Sequence, residues 1–121
     1  MTGNCVWING PFKASESDIT IHQEGLRQLI PEGRFVVADK AYQGEPATIS
    51  YPNELDDNRV AAIKRRIRAR QETFFSRMKA FQVLRQPFRH KPVMEKHKAC
   101  FIAMAVLVQC GIENGSPLFH I

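Results

Sequence analysis

Cysteine is scarce in this sequence, and the three that are present show no paired spacing. Cys5, Cys100 and Cys110 are odd in number, and no two of them are separated by only two residues. A disulfide framework and a structural zinc site of paired cysteines are therefore unsupported, which fits a reducing compartment. A zinc site at His97 and Cys100, three residues apart, lacks a second pair of ligands with matching spacing.

Long apolar runs are also missing. The longest, residues 99–108, is about half of the roughly 20 residues that a membrane span needs. The amino terminus, MTGNCVWING, lacks the basic start and long apolar run of a secretory signal. We therefore expect a soluble intracellular chain with no membrane partner. Its 121 residues and 44% hydrophobic content fit one small domain, residues 1–121, with a core of its own.

Acidic residues are nearly absent from about a quarter of the chain. Residues 59–91 hold eleven Lys and Arg and only one acid, Glu72, whereas the rest of the chain holds six Lys and Arg and eleven acids. Such a basic block predicts a polyanionic partner, of which nucleic acid is the commonest. The alternative is a basic helix face that is merely solvated.

The predicted elements of the first half follow an α/β order. Short β-prone runs end at turn signals, and a looser apolar pattern between them indicates a helix capped by Ser15 or Ser17. In chain order we predict a strand at Cys5–Ile8, a helix from about Asp18 to Ile30, a strand at Arg34–Ala38 and an extended piece at Thr48–Tyr51.

Two helices are predicted for the second half. An apolar stripe at spacings of three, four and seven indicates a long amphipathic helix that ends before Pro87. Its members are Val60, Ile63, Ile67, Phe74, Met78 and Phe81. A second helix, from about Val93 to Cys110, is nearly all apolar after Lys98, so we expect it to be buried, with Gly111 as its carboxyl-terminal cap.

Two acids stand out against this background. Asp39 follows a buried strand, and in open α/β sheets functional groups gather at the carboxyl ends of strands. An Asp in this place is also a common turn or cap residue. Glu72 is compatible with a metal site, but it is equally compatible with an exposed ion pair to Arg68, four residues earlier on the same helix.

Several spaced motifs together resemble the Harbinger-type DDE superfamily endonucleases. The resemblance covers nearly the whole chain, although Ala41 stands where the family usually has glycine. The matching segments are Gly10-Pro11, Ser17-Asp18, Val37–Gly44, Arg68–Lys79, Phe81–Leu84 and Phe88-Arg89.

This resemblance implies a ribonuclease-H-like α/β fold in which three acids bind two divalent cations, Mg²⁺ or Mn²⁺, for DNA cleavage and strand transfer. Asp39 matches the second metal-binding aspartate of the family, and Glu72 matches its glutamate. The first aspartate has no counterpart, and Asp18 matches a different acidic position. We therefore expect the carboxyl-terminal part of such a domain, an incomplete fold lacking its first strand or strands, with weak metal binding and little activity.

Partners and location follow from the same features. We assign the DNA contacts to Arg65, Arg68 and Lys79 of the basic helix, and a homo-oligomer or a partner chain could complete the fold. The cluster at Lys64–Arg70 is compatible with nuclear targeting, so we expect a nuclear protein. The alternative function is a non-catalytic domain that binds nucleic acid or a protein through the basic helix; a helix-turn-helix reader fits less well, because the two last helices are too long.

Overall fold

The computed structural model describes residues 4–12, 15–87, 89, 91 and 93–119. Helices dominate it, and a two-stranded parallel sheet is its β component. The chain divides into two units, which we call the apolar unit, residues 1–11 and 70–121, and the polar unit, residues 12–69. Within the described residues, no helix is long and apolar enough to cross a membrane.

The polar unit begins with a helix, α1 (Asp18–Glu24), which Ser17 caps by accepting a hydrogen bond from the Thr20 amide. A 3-10 turn at Leu26–Leu29 follows, so the predicted helix is real but ends earlier than expected. Gly25, at the carboxyl end of α1, marks that stop in the sequence.

The sheet pairs β1 (Val36–Val37) with β2 (Ile49–Ser50) in parallel, Val36 opposite Ile49. Its ladder includes the Val36 amide to the Thr48 carbonyl at 2.9 Å and the Ala38 amide to the Ser50 carbonyl at 3.2 Å. The predicted strand and the predicted extended piece are thus both confirmed, each shortened to two residues. A 3-10 turn at Lys40–Tyr42 lies in the connection between them.

The long helix α2 (Asn58–Lys79) begins at Asp57, whose carboxylate accepts a hydrogen bond from the Val60 amide. It ends at Lys79, before Pro87 as predicted, and a separate short helix, α3 (Gln82–Arg85), follows, so Phe81, which the predicted stripe includes, lies outside α2. Phe81 has extended backbone angles and is the residue at which the second helix starts anew.

The predicted apolar stripe of α2 is buried only in its second half. Met78 is 1% exposed, and Phe74 and Phe81 pack against the same core, whereas Val60 and Ile63 are 39% and 44% exposed. In the first half of the helix the side chain turned inward is a cation, Lys64. A periodicity argument misses this, because it assigns every lysine to the surface.

The last helix, α4 (Val93–Glu113), corrects two predictions. It runs through Gly111, which therefore is not its cap. It is also not buried all round: Ala105, Val108 and Ile112, at spacings of three and four, face the core with Met78 and Leu118, but Val106 and Leu107 lie more than half exposed. One stripe of α4 is thus core, and an apolar face remains open.

The predicted strand at Cys5–Ile8 is wrong for this structure, since residues 4–12 form no strand. The segment lies along α4 instead, where the Cys5 amide donates to the Gln109 side-chain carbonyl at 2.8 Å. A groove of about 360 Å³ separates the two, lined by Trp7, Ile102 and Val106 among others. A β-prone segment needs a neighbouring strand for its hydrogen bonds, and the described part of this unit has no strand.

Candidate functional site

Asp39 is positioned by the strand before it and the turn after it. Ala38 is buried directly beyond β1, and Asp39 then caps the 3-10 turn by accepting a hydrogen bond from the Ala41 amide at 2.7 Å. The sequence offered a capping residue and a functional carboxylate as alternatives, and the capping role is present. Only Oδ1 makes this bond, and the side chain is 48% exposed, so Oδ2 can reach a cation.

A cation already stands beside that oxygen. Nη2 of Arg68, which rises from α2, lies 4.0 Å from Oδ2 of Asp39. The Arg68 side chain is 38% exposed, and ion pairs open to solvent contribute at most about 1 kcal/mol. Arg68 therefore has a carboxylate partner in Asp39, which weakens the interpretation of Glu72 as its partner.

Tyr42 and His22 support the turn that carries Asp39. Their rings meet edge to face with centroids 6.2 Å apart, and His22 Nε2 lies 3.2 Å from the Thr48 hydroxyl. Burial raises the pKa of Tyr42, and the nearby carboxylates of Asp18 and Asp39 raise it further. The phenol thus stays protonated and neutral close to Asp39.

A buried carboxylate anchors the other end of the same segment. The Glu45 carboxylate accepts hydrogen bonds from the side-chain amide of Gln23 at 2.6 Å and from the Arg27 guanidinium at 3.3 Å. Burial lowers the pKa of His22, Glu45 opposes that effect and Arg27 adds to it. Residues 42–48 are therefore tied to α1 by three contacts, and the Asp39 side chain is itself held by the Ala41 amide.

Not every cation of the basic block lies at the surface. Arg65 and Lys79, two of the three predicted DNA contacts, are exposed and Arg68 is partly exposed, but Lys64 and Arg70 are buried. Lys64 donates to both oxygens of Asp56, at 2.8 and 3.0 Å, and to the Tyr51 carbonyl at 2.9 Å. The hydrogen bond from Lys64 is the main reason that the pKa of Asp56 is lowered.

Arg70 is committed to the chain's own carboxyl-terminal segment. Its guanidinium donates to the Phe119 carbonyl and lies over the Phe119 ring, 5.8 Å from the centroid. Arg77 donates to the carbonyls of Ser116 and Pro117 in the same segment. The basic block is therefore partly structural, and its net charge overstates the surface it offers to a polyanion.

Glu72 is exposed and belongs to the apolar unit, whereas Asp39 belongs to the polar unit. Their convergence on one metal stays a prediction. In the part of the chain that the structure describes, no three His, Cys, Asp or Glu side chains are gathered as a metal site. Phe88, which contributes to the family resemblance, lies outside the described residues.

Comparison with known proteins then decides the family. A family model described as "DDE superfamily endonuclease" matches residues 1–109. The chain belongs to this family. No match was found among curated proteins or among solved structures.

DDE superfamily endonucleases act on DNA with divalent metals, so the donors present here can be tested against that chemistry. Carboxylate oxygens are the ligands that Mg²⁺ and Mn²⁺ prefer, and Asp39 has one oxygen open to solvent beside a cation. Asp39 and Glu72 thus fit as single donors. Each therefore counts as a separate donor, since the described residues contain no group of three such donors.

Within this family motif, sequence reasoning missed the support around Asp39. It assigned no role to Tyr42 beyond membership of the Val37–Gly44 motif, and none to His22 or Glu45. A signal for Tyr42 does exist, since its position three residues after Asp39 places it at the end of the turn that Asp39 caps. The contact between His22 and Tyr42 depends on the fold and has no local signature.

Proposed function

We propose that this chain is a transposase-derived DNA endonuclease domain that binds divalent metal through Asp39 and Glu72 and is catalytically incomplete by itself. The observation that supports it best is the family match over residues 1–109, combined with an Asp39 that follows β1 and whose half-exposed side chain leaves Oδ2 to an exposed ion pair with Arg68 alone among the described residues. Mg²⁺ or Mn²⁺ would supply Lewis-acid activation of water and of the leaving oxygen. The chain's own residues hold the carboxylates and the DNA.

The DNA contacts in this proposal are Arg65, Arg68 and Lys79. Arg65 and Lys79 are exposed on α2, and Arg68 is partly exposed beside Asp39. Phosphate neutralisation by such side chains gives binding that weakens steeply with salt. Neutralising any one of these cations should lower the slope of log affinity against log salt by about 1.

Three finer statements belong to the same proposal. The Harbinger-type motifs support a carboxyl-terminal part of a ribonuclease-H-like fold, with β1 as a strand of its sheet and α2 as its glutamate-bearing helix. The absence of a three-donor cluster in the described residues supports weak metal binding by this chain alone. The exposed arginines Arg65 and Arg66 support a nuclear-targeting role for part of the basic cluster.

Mn²⁺ binding tests the metal part of the proposal. Paramagnetic relaxation of water protons should report weak binding to the intact chain. Asp39→Ala and Glu72→Ala should each lower the affinity about tenfold or more, because even outer-shell changes cost metal sites that much. Glu32→Ala, which removes an exposed acid outside the proposed site, is the matched control and should leave the affinity unchanged.

Strand cleavage tests the enzymatic part. With Mg²⁺, nicking of supercoiled plasmid should be far slower than that of a domain with all three acids, and Asp39→Asn should abolish what remains. Rapid nicking by the chain would contradict catalytic incompleteness. Nicking that survives Asp39→Asn would contradict the assignment of Asp39.

A non-catalytic DNA-binding domain is the second candidate function. It is favoured by the two structural roles that Asp39 already has, as cap of the turn and as partner of Arg68. In that case Asp39→Ala combined with Glu72→Ala would leave Mn²⁺ binding unchanged, while Arg65→Gln and Lys79→Gln would still weaken DNA binding.

A further inference from the structure

Arg68 and Asp39 form an ion pair. In the proposed function, Asp39 also binds a divalent cation and Arg68 also binds a DNA phosphate. The guanidinium lies 4.0 Å from Oδ2 of Asp39, and both side chains are partly exposed. A divalent cation would use the same Oδ2, since Oδ1 is engaged by the Ala41 amide. A DNA phosphate would use the same guanidinium, which matches phosphate oxygens as well as it matches a carboxylate.

Because the ion pair competes with both ligands, binding of either ligand should favour binding of the other. With a divalent cation held by Asp39, Oδ2 would no longer attract the Arg68 guanidinium, and with the guanidinium on a phosphate, Oδ2 would be left without its cationic partner. Each ligand therefore removes the obstacle to the other. Thermodynamic reciprocity requires that the two effects on affinity be equal in size.

The surroundings decide which partner moves. Asp39 is held by the Ala41 amide within a turn whose Tyr42 ring packs on His22. Arg68 has a long flexible side chain that is 38% exposed. When the pair opens, the carboxylate keeps its place and the arginine swings outward.

We propose that Arg68 couples DNA binding to metal binding: it neutralises Asp39 in the free chain and is released to a DNA phosphate when Asp39 takes a divalent cation. This inference rests on the proposed function for both ligands. It assigns to Arg68 a role that Arg65, an exposed arginine one turn earlier without an ion pair among the described residues, does not share.

A double-mutant cycle in EDTA tests the release without any metal. Binding of a fluorescent 20-base-pair duplex would be measured by anisotropy for the intact chain, Asp39→Asn, Arg68→Gln and the double variant. Asparagine keeps an oxygen for the Ala41 amide but loses the charge that holds Arg68. Asp39→Asn should tighten DNA binding when Arg68 is present, and about two- to fivefold less in the Arg68→Gln background. This ratio corresponds to the free energy of an exposed ion pair.

The outcomes separate the inference from the proposed function. Equal effects of Asp39→Asn in both backgrounds would show only general repulsion and overturn the coupling. Failure of Arg65→Gln and Lys79→Gln to weaken DNA binding would overturn the proposed DNA contacts, and the coupling with them.

Mn²⁺ provides the reciprocal measurement. Arg68→Gln should raise Mn²⁺ affinity about two- to fivefold in the absence of DNA, and DNA should no longer increase it. Arg34→Gln removes the same charge from an exposed position in the polar unit and should leave Mn²⁺ affinity unchanged. The coupling would be overturned if Arg68→Gln left the Mn²⁺ affinity unchanged. If Asp39→Ala still abolished Mn²⁺ binding in the same experiment, the proposed metal site would remain supported.

Discussion

The two units of this chain are stabilised by different chemistry. The apolar unit buries Met78, Ala105, Val108, Ile112 and Leu118 around one core, together with a single charged side chain, Arg70, among its described residues. Among its described residues, the polar unit buries two apolar side chains, Ala38 and Ile49, and three titratable ones. These are His22, Glu45 and Lys64. The unit that carries Asp39, Arg65 and Arg68 of the proposed site is thus the one in which hydrogen bonds and charges account for most of the buried side chains, whereas Glu72 and Lys79 belong to the apolar unit.

This difference teaches where the chain should be sensitive to its surroundings. Apolar packing depends little on pH and salt, whereas a buried polar side chain is stable only with its partner in the right protonation state. Loss of a methylene should therefore affect the apolar unit most. Loss of a charge should affect the polar unit most.

Truncation of Met78 should have the largest effect. Met78→Ala removes most of a side chain that is 1% exposed and should cost about 2–5 kcal/mol of unfolding free energy. Urea unfolding gives the total, and hydrogen exchange should show the greatest loss of protection in α4. Leu107→Ala, at a site on α4 that is 52% exposed, is the control and should cost far less. Equal costs would contradict the core described for the apolar unit.

Mild acid should have a smaller effect, centred on the polar unit. Because burial lowers the pKa of His22 below 6.5, the unfolded chain takes up a proton there first, and stability falls as the pH drops below 6.5. The urea concentration at the midpoint of unfolding should be lower at pH 5.5 than at pH 7.5 for the wild type. The difference between the two pH values should be smaller for His22→Gln. An equally large difference in His22→Gln would contradict the assignment of this pH dependence to His22.

Asp56 should make stability depend on pH in a second, more acidic range. Its pKa is lowered from 3.8 by Lys64, so its contribution is complete above 3.8 and is lost only as the pH falls below that value. Acid unfolding of the wild type and of Lys64→Met should differ below pH 3.8. Identical acid unfolding curves would contradict a stabilising ion pair between Lys64 and Asp56.

The smallest effect should be a gain. Gly111 lies inside α4, and a Cβ added there meets nothing within 4 Å, so Gly111→Ala should stabilise the chain by about 0.5–1 kcal/mol. Gly115→Ala is the counterpart, because φ is +108° there and any side chain is strained. A loss of stability in Gly111→Ala would mean that α4 ends before that residue.

The sequence predicted those features that depend on local patterns. The Ser17 cap, the strand before Asp39 and the long basic helix all have signals within a few residues, and the structure contains them. The break at Phe81 and the continuation of α4 through Gly111 were missed, because tertiary packing outweighs propensity at helix ends.

Burial was predicted less well, and for a physical reason. Hydropathy assigns Lys64 and Arg70 to the surface, yet each is buried because one specific acceptor lies within reach, Asp56 for Lys64 and the Phe119 carbonyl for Arg70. These partners are 8 and 49 residues away in sequence. The position of Asp39 was predictable, whereas its pairing with Arg68 depended on the fold.

The segment at Ser116–Phe119 has a practical consequence for anyone who expresses this domain. The family match ends at residue 109, inside α4 and ahead of Ile112 and Leu118. An expression clone trimmed to the matched region would lose two of the five buried residues in the apolar core and the carbonyls that bind Arg70 and Arg77. The boundary suited to purification therefore lies at least ten residues beyond the boundary suited to classification.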